Sequence, residues 1–183
     1  MKPILAFTVI IVVSLFALPI IFMSQIEDAY KQHQVEEDTP QQQLTGNLYI
    51  EDVTCLADTV YFEARSENIL GQLAVAQVVM NRVLSSNGLD TVCDVVYKGK
   101  MSKSGRMIKN KCQFSFYCDG KPERIHDIEG YNQSSLVATL AMSGVYIDGL
   151  QEATSFHAVG NKPKWVKSKE FLRRVGNHMF YKD

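Results

Sequence analysis

The chain has 183 residues, of which 46% are hydrophobic and 21% are charged, and its formal net charge is −1 at pH 7. This composition fits one folded domain with an extension and excludes low-complexity and disordered chains. Residues 1–50 carry two lysines and five acidic residues, and residues 51–183 carry 17 basic and 15 acidic residues. A domain with so weak a positive balance is not expected to bind nucleic acid.

The amino-terminal segment contains twenty uncharged residues, 4–23, preceded by Lys2. Such a run is long enough to span a bilayer, and the positive charge before it places the amino terminus on the cytoplasmic side. A cleaved signal peptide is the alternative, but no A-x-A-like site ends the run. We expect residues 1–23 to anchor the chain in the inner membrane, and both interpretations export the rest.

A polar segment follows the predicted anchor. Residues 24–50 are rich in Gln and acidic residues and poor in apolar ones, which is typical of a flexible linker. A soft linker of this length reaches about 30 Å on average. The folded domain is predicted to occupy residues 51–183.

Two long helices are predicted at the start of this domain. The first is expected to run from a cap at Asp52 or Thr54 to about Arg65. The second is expected to run from a cap at Asn68 to about Leu84. Because the second helix is apolar on most sides, we expect it to be the central, buried helix.

The middle of the domain mixes short elements. Asp90 is expected to cap a short helix or turn, and the six basic residues of Lys98–Lys111 indicate a solvated loop that would favour an anionic polymer. Phe114 and Phe116 alternate with polar residues, as in a strand. A third long helix is predicted to end at Gly149, and the tail mixes strand-like pieces with loops. The predicted fold class is α+β, mainly helical.

Four cysteines form an even set in the exported part, which predicts disulfides. Three connectivities are possible. Pairing Cys112 with Cys118 would close a short loop and leave Cys55 with Cys93. A zinc site using Cys112, Cys118 and His126 is the alternative, although the spacing matches no standard zinc motif.

Glu63 falls on the same face of the first helix as Leu56 and Val60, because positions seven apart point in nearly the same direction. Partial removal from water favours the protonated form of a carboxyl and raises its pKa. A buried ion pair with Arg65 or Arg82 would give Glu63 a structural role. Alternatively, a carboxyl protonated near neutral pH suits cleavage of a glycosidic bond, because the leaving oxygen must receive a proton.

The sequence shows no obvious second catalytic carboxylate. Asp58 lies five residues before Glu63 and therefore on another side of the helix. Glu67 lies one turn after Glu63 and is expected to be exposed. Ordinary retaining or inverting glycoside hydrolysis normally uses two carboxylates.

Six segments occur in a characteristic order: CLADTVYFEAR, GQLAVAQVVMNRV, TVCDVVY, CQFSFYCDG, SFHAVGNKPKW and VGNHMFY. Together, over residues 52–181, they resemble the SleB-type cell-wall hydrolase family. The resemblance implies a lysozyme-like fold and a peptidoglycan lytic transglycosylase, with Glu63 as its catalytic acid and base. It implies no metal and no organic cofactor. One glutamate suffices in such an enzyme, because the muramoyl 6-hydroxyl is the nucleophile and a 1,6-anhydro end is formed.

Further site residues are expected in the matching segments. Those predicted to bind the glycan are Tyr61, Gln113, Phe114, Ser115, Phe116 and His157. Core packing is the alternative for at least one of the two phenylalanines, and a structural role is the alternative for His157. The roles of Trp165 and His178 stay open between site and core.

The expected partners are peptidoglycan glycan strands and the inner membrane, and the chain is expected to act as a monomer. The cysteines and the apparent anchor suit a Gram-negative envelope protein or a phage endolysin acting on such a host. A muramidase that uses water, a non-catalytic tethered wall-binding protein and a protein-interaction module are the alternative functions.

Overall fold

The computed structural model describes residues 24, 25, 27, 40–86 and 90–183, with only the backbone for 40–48. The chain divides into two compact units, Met1–Leu48 and Tyr49–Asp183. The predicted anchor, residues 4–23, lies outside the described residues. Within the described ranges no helix is both long enough and apolar enough to cross a membrane.

The long elements are helices, numbered here in chain order. They are α1 (Pro40–Ala64), α2 (Ile69–Ser85), α3 (Val92–Val96) and α4 (Ile128–Met142). Two short 3₁₀ turns cover Ser115–Cys118 and Lys164–Ser168.

Helix α1 begins well before the predicted caps, so the caps expected at Asp52 and Thr54 were wrong. Both residues bond inside or beside the helix: the Thr54 hydroxyl donates to the Ile50 carbonyl at 2.9 Å, and Asp52 accepts the Cys93 N–H at 3.1 Å. Residues 40–50, the end of the segment predicted to be a flexible linker, are helical.

Helix α2 follows the prediction closely. Asn68 caps it by accepting the Gly71 N–H at 2.9 Å, and ten of its residues are buried, as expected for the central helix. Helix α3 is capped by Thr91 and not by Asp90, because Thr91 and Asp94 satisfy each other's backbone N–H groups in a capping box.

Helix α4 ends earlier than predicted. Asp127 caps it by accepting the Gly130 N–H at 2.9 Å. It ends at Met142 and not near Gly149, because Gly144 already turns the chain with a φ of +88°.

The strands form two antiparallel sheets. A hairpin pairs β1 (Gly99–Met101) with β2 (Met107–Cys112), and a three-stranded sheet has the order β3–β5–β4, with β3 at Ser155–Ala158, β4 at Glu170–Val175 and β5 at His178–Lys182. The basic stretch predicted as a loop is therefore mostly this hairpin, and its basic side chains are exposed.

The predicted disulfides are present, and of the three connectivities that the sequence left open the structure has Cys55–Cys93 with Cys112–Cys118. The first joins α1 to α3. The second closes a tight loop, so the strand predicted for the CQFSFYC segment was wrong: β2 stops at Cys112, and a 3₁₀ turn follows. Because both of its cysteines are oxidised, the alternative zinc site with His126 has no thiolate ligands.

Two hydrophobic clusters meet on α2. One packs α1, α3 and α4 against α2 and contains Leu56, Val60 and Val137, which have no exposed surface. The other lies between α2 and the three-stranded sheet and contains Leu150 and Phe180. The structure therefore confirms a mixed, mainly helical fold and places the end of α1 at the border of its core.

Candidate active site

Glu63 lies in the last turn of α1, where the buried face of the helix leaves the core. Leu56 and Val60, on the same face, are completely buried, whereas Glu63 is half-buried. The helix thus holds the carboxyl rigidly at the surface of a cleft.

The cleft beside Glu63 has a volume of about 420 Å³. Three parts of the chain line it: the end of α1, the 3₁₀ turn and the segment 119–127. The side chains from the first two are Tyr61, Phe62, Glu63, Arg65, Ser115 and Phe116.

The Glu63 carboxyl makes no hydrogen bond and no ion pair with any residue in the ranges that the structure describes. Neither predicted ion-pair partner reaches it. Arg65 lies over the Tyr61 ring, with 5.1 Å from Cζ to the ring centroid, and Arg82 bonds elsewhere. Burial raises the pKa of Glu63, and the positive charge of Arg82 offsets part of that rise. The site therefore favours a protonated carboxyl that faces open space.

Tyr61 supports one wall of the cleft. Its side chain is buried, and its hydroxyl oxygen accepts the N–H groups of His126 and Asp127 at 3.1 and 3.0 Å. Through these bonds the end of α1 holds the start of α4. Tyr61 thus lines the cleft mainly as a support.

An aromatic pair also lines the cleft. The rings of Phe62 and Phe116 stack with centroids 4.9 Å apart, and Ser115 is exposed beside them. Sequence reasoning found Phe116 and Ser115 but missed Phe62, although it adjoins Glu63. It also missed the segment 119–127, whose only signal was that its first two residues end the CQFSFYCDG segment.

The remaining predicted residues lie away from this cleft. Phe114 is buried in the core beneath Arg82, 5.2 Å from ring centroid to Cζ. His157 contacts the Tyr181 hydroxyl with Nε2 at 3.0 Å and the Ala158 carbonyl with Nδ1 at 2.9 Å, and Trp165 packs edge-on against it.

A second cavity, of about 490 Å³, is lined by Gln113 and Arg82. Arg82 Nε donates to the Thr154 carbonyl at 2.8 Å. With the Gln113 amide oriented so that its oxygen faces Arg82, Nη1 and Nη2 donate to that oxygen at 2.7 and 3.1 Å. Burial lowers the pKa of Arg82 to about 10, against the opposing effects of Asp183 and Glu63, so its guanidinium stays charged at neutral pH.

The two other carboxylates near Glu63 in the sequence have protein partners. Asp58 accepts the Tyr131 hydroxyl proton at 3.0 Å, and burial raises the pKa of Asp58. Glu67 was expected to be exposed, but both of its oxygens accept the Asn177 N–H at 3.1 Å. Glu63 is thus the unpartnered carboxyl of the three.

The Cell Wall Hydrolase family matches residues 66–181, and the chain belongs to this family. The resemblance inferred from the sequence is thereby confirmed. The matched region begins three residues after Glu63, so the match does not itself include that residue.

Two curated relatives are spore cortex-lytic enzymes. The one from Bacillus cereus is 27% identical over 131 residues, which cover 72% of this chain and 44% of the relative. The one from Oceanobacillus iheyensis is 27% identical over 141 residues, covering 72% and 41%. The chain therefore spans less than half the length of these relatives.

Two solved structures share the fold. The catalytic domain of the germination-specific lytic transglycosylase SleB from Bacillus anthracis is 25% identical, with a TM-score of 0.52 over 72% of this chain and 93% of that domain. The catalytic domain of the Bacillus cereus SleB protein is also 25% identical, with a TM-score of 0.54 over 72% and 89%. The match nearly spans both catalytic domains.

Proposed function

We propose that this protein cleaves the glycan strands of bacterial peptidoglycan at the β-1,4 linkage between N-acetylmuramic acid and N-acetylglucosamine, as a lytic transglycosylase. The observation that carries the proposal is the unpartnered, half-buried Glu63 carboxyl at the wall of an open cleft. Membership in the cell wall hydrolase family and the likeness to a lytic transglycosylase domain support it. The lysozyme-like architecture expected from the sequence belongs to the same proposal.

Glu63 acts first as the acid and then as the base. Its proton passes to the bridging oxygen as the glycosidic bond breaks. The resulting carboxylate takes the proton of the muramoyl 6-hydroxyl, whose oxygen bonds to the anomeric carbon and closes a 1,6-anhydro ring. No water is consumed, and the nucleophile is already held close within the same sugar.

The surroundings of Glu63 suit both halves of this cycle. Burial raises the pKa of the carboxyl and so favours the protonated form that the first proton transfer needs. The positive charge of Arg82 then stabilises the Glu63 carboxylate that takes the proton in the second transfer. Phe62 and Phe116 offer ring faces for sugar stacking, and Ser115 offers a hydroxyl to the substituents of the sugar.

Action outside the cytoplasm is part of the proposal. Two disulfides tie the domain together, and disulfides persist in oxidising compartments. An anchor at residues 4–23 in the inner membrane would keep a monomeric domain near the wall. The glycan strands are the proposed substrate, and the chemistry uses no cofactor.

A muramidase that uses water is the second candidate, because another carboxylate is available in the cleft. Glu123 lines the same cleft and, within the part of the chain that the structure describes, accepts no hydrogen bond. In that mechanism Glu123 would activate a water molecule or attack the sugar.

Digestion of purified sacculi by the detergent-solubilised full chain tests both candidates. Mass spectrometry of the products distinguishes them, since anhydromuramoyl ends weigh one water less than hydrolysed ends. Transglycosylation predicts anhydro ends, and these should persist in a Glu123→Gln variant. Hydrolysed ends that disappear in this variant would establish the muramidase instead.

A further inference from the structure

We propose that the second cavity, lined by Arg82, Gln113 and Lys169, extends the glycan cleft and receives the acidic peptide carried by the muramoyl residue. This inference rests on the proposed function and names a further part of the substrate that the same site recognises. We call this cavity, lined by Arg82, Gln113 and Lys169, the anion cavity.

The anion cavity and the Glu63 cleft lie along one short segment of chain. Gln113 lines the former, and Ser115, two residues later, lines the latter. Phe114, between them, points into the core beneath Arg82. Glu63 and Arg82 are also near enough for each to alter the other's pKa. A glycan seated at Glu63 therefore has its substituents within reach of the anion cavity.

Arg82 presents a positive charge there that no salt bridge with a described residue neutralises. Its bonding partners are neutral: the Thr154 carbonyl, the Gln113 amide oxygen and the face of the Phe114 ring. It forms no salt bridge with any described residue. A half-buried guanidinium that is oriented but not neutralised is a suitable receptor for a carboxylate, because its fork of donors matches the two oxygens.

Two further cations line the cavity, each beside one carboxylate. Lys98 Nζ lies 3.5 Å from Asp90, and Lys169 donates to Asp183 and, at 2.6 Å, to the Ser155 hydroxyl. Since two acidic groups face three cations, Arg82 supplies the excess positive charge. The cavity thus favours an anionic ligand.

The ligand chemistry follows from the substrate. Each muramoyl residue of peptidoglycan bears a lactyl group to which a short peptide with free carboxylates is attached. The neutral glycan itself has no anionic group that a guanidinium would bind. A volume of about 490 Å³ holds more than a single carboxylate, which fits part of a peptide.

The test compares two forms of one glycan: peptide-bearing strands and the same strands after an amidase has removed the peptides. The double variant Lys98→Met/Lys169→Met removes two cations and leaves Asp90 and Asp183 uncompensated. We expect its KM for the peptide-bearing strands to rise about fivefold or more, with the KM for stripped strands within twofold of wild type. Lys167→Met, an exposed neighbour outside the cavity, is the matched control.

A binding measurement makes the result independent of turnover. Isothermal titration of the free tetrapeptide of peptidoglycan into the Glu63→Gln protein should show binding that the added lysine substitutions weaken at least fivefold. Equal changes in KM with both glycans, or no change with either, would overturn the anion cavity as a peptide subsite. A wild-type chain that cleaves neither glycan would instead refute the proposed function.

Discussion

The last turn of helix α1 and the connection after it carry two glutamates, Glu63 and Glu67, and only one of them has a bonding partner among the described residues. Glu63 faces the cleft with no bonding partner among the described residues, and burial raises its pKa. Glu67 points to the other side and accepts the Asn177 N–H with both oxygens. Its Oε1 also lies 3.4 Å from His178 Nδ1, and burial lowers the pKa of that histidine, so the imidazole is neutral near pH 7.

The Glu67 region is built to fit that side chain closely. A Cβ on Gly71 would lie 2.8 Å from the Glu67 Cβ, and a Cβ on Gly176 would collide with the Glu67 carboxylate. Gly176 also has a φ of +55°, which other residues rarely adopt. Glu67 therefore joins the α1–α2 connection to the turn between β4 and β5.

The contrast shows that burial alone does not identify a catalytic carboxyl. Buried polar groups are normally hydrogen-bonded, and a bonded carboxylate such as Glu67 stabilises the fold. A carboxyl left without partners beside open space keeps its proton available for chemistry.

Glu63→Gln should have the largest effect. We expect about a 10³-fold loss of activity on sacculi, because general acid and base catalysis contributes about 10²–10⁴-fold. Release of soluble muropeptides measures it. Glu67→Gln is the matched control and should keep activity within about tenfold at a temperature where it is folded. Comparable losses in both variants would remove the distinction between the two glutamates.

Glu67→Ala should chiefly affect stability. It leaves the Asn177 N–H without the carboxylate and empties the space that the side chain fills beside Gly71 and Gly176, which together cost about 1–3 kcal/mol of the free energy of unfolding. Urea denaturation measures the change. Since Glu63 has no bonding partner to lose, Glu63→Gln should show no such destabilisation. An unchanged denaturation midpoint for Glu67→Ala would contradict the structural role.

The pH profile should report the electrostatic effect of Arg82 on Glu63. In the proposed mechanism activity requires protonated Glu63, so we expect activity to fall as the pH rises through the raised pKa of that carboxyl. The Arg82 charge lowers this pKa, and Arg82→Met should therefore move the alkaline limb of kcat/KM to higher pH. Lys167→Met serves as a control that leaves the limb in place. A shift of the alkaline limb to lower pH in Arg82→Met would contradict the electrostatic effect of Arg82 on Glu63.

The smallest effect concerns the stability of Glu63→Gln as a function of pH. Burial makes the pKa of Glu63 higher in the folded chain than in the unfolded chain. The contribution of Glu63 to the free energy of unfolding is therefore fully present below its unfolded pKa and is lost as the pH rises through its folded pKa. Relative to wild type, Glu63→Gln should therefore gain stability as the pH increases. Thermal melting at several pH values checks it, and a constant difference would mean that Glu63 ionises as freely in the fold as in the unfolded chain.

Local sequence signals determined much of this protein. The cap at Asn68 and the apolar surface of α2 predicted the central helix correctly, because capping and periodicity act within a few residues. The helical repeat placed Glu63 on the face of Leu56 and Val60. The resemblance of its segments to known wall hydrolases was confirmed as the family.

Which of these carboxyls stays free depends on packing between segments that are distant in the sequence. Glu67 finds its partner 110 residues away, and Arg82 finds Thr154 72 residues away. The loop closed by Cys112 and Cys118 likewise overrode a local alternation that resembled a strand. Such contacts depend on how distant segments pack, so the short-period pattern of apolar and polar residues does not predict them. That packing gives the carboxylates of Asp58 and Glu67 hydrogen-bond donors and leaves the Glu63 carboxyl facing the cleft.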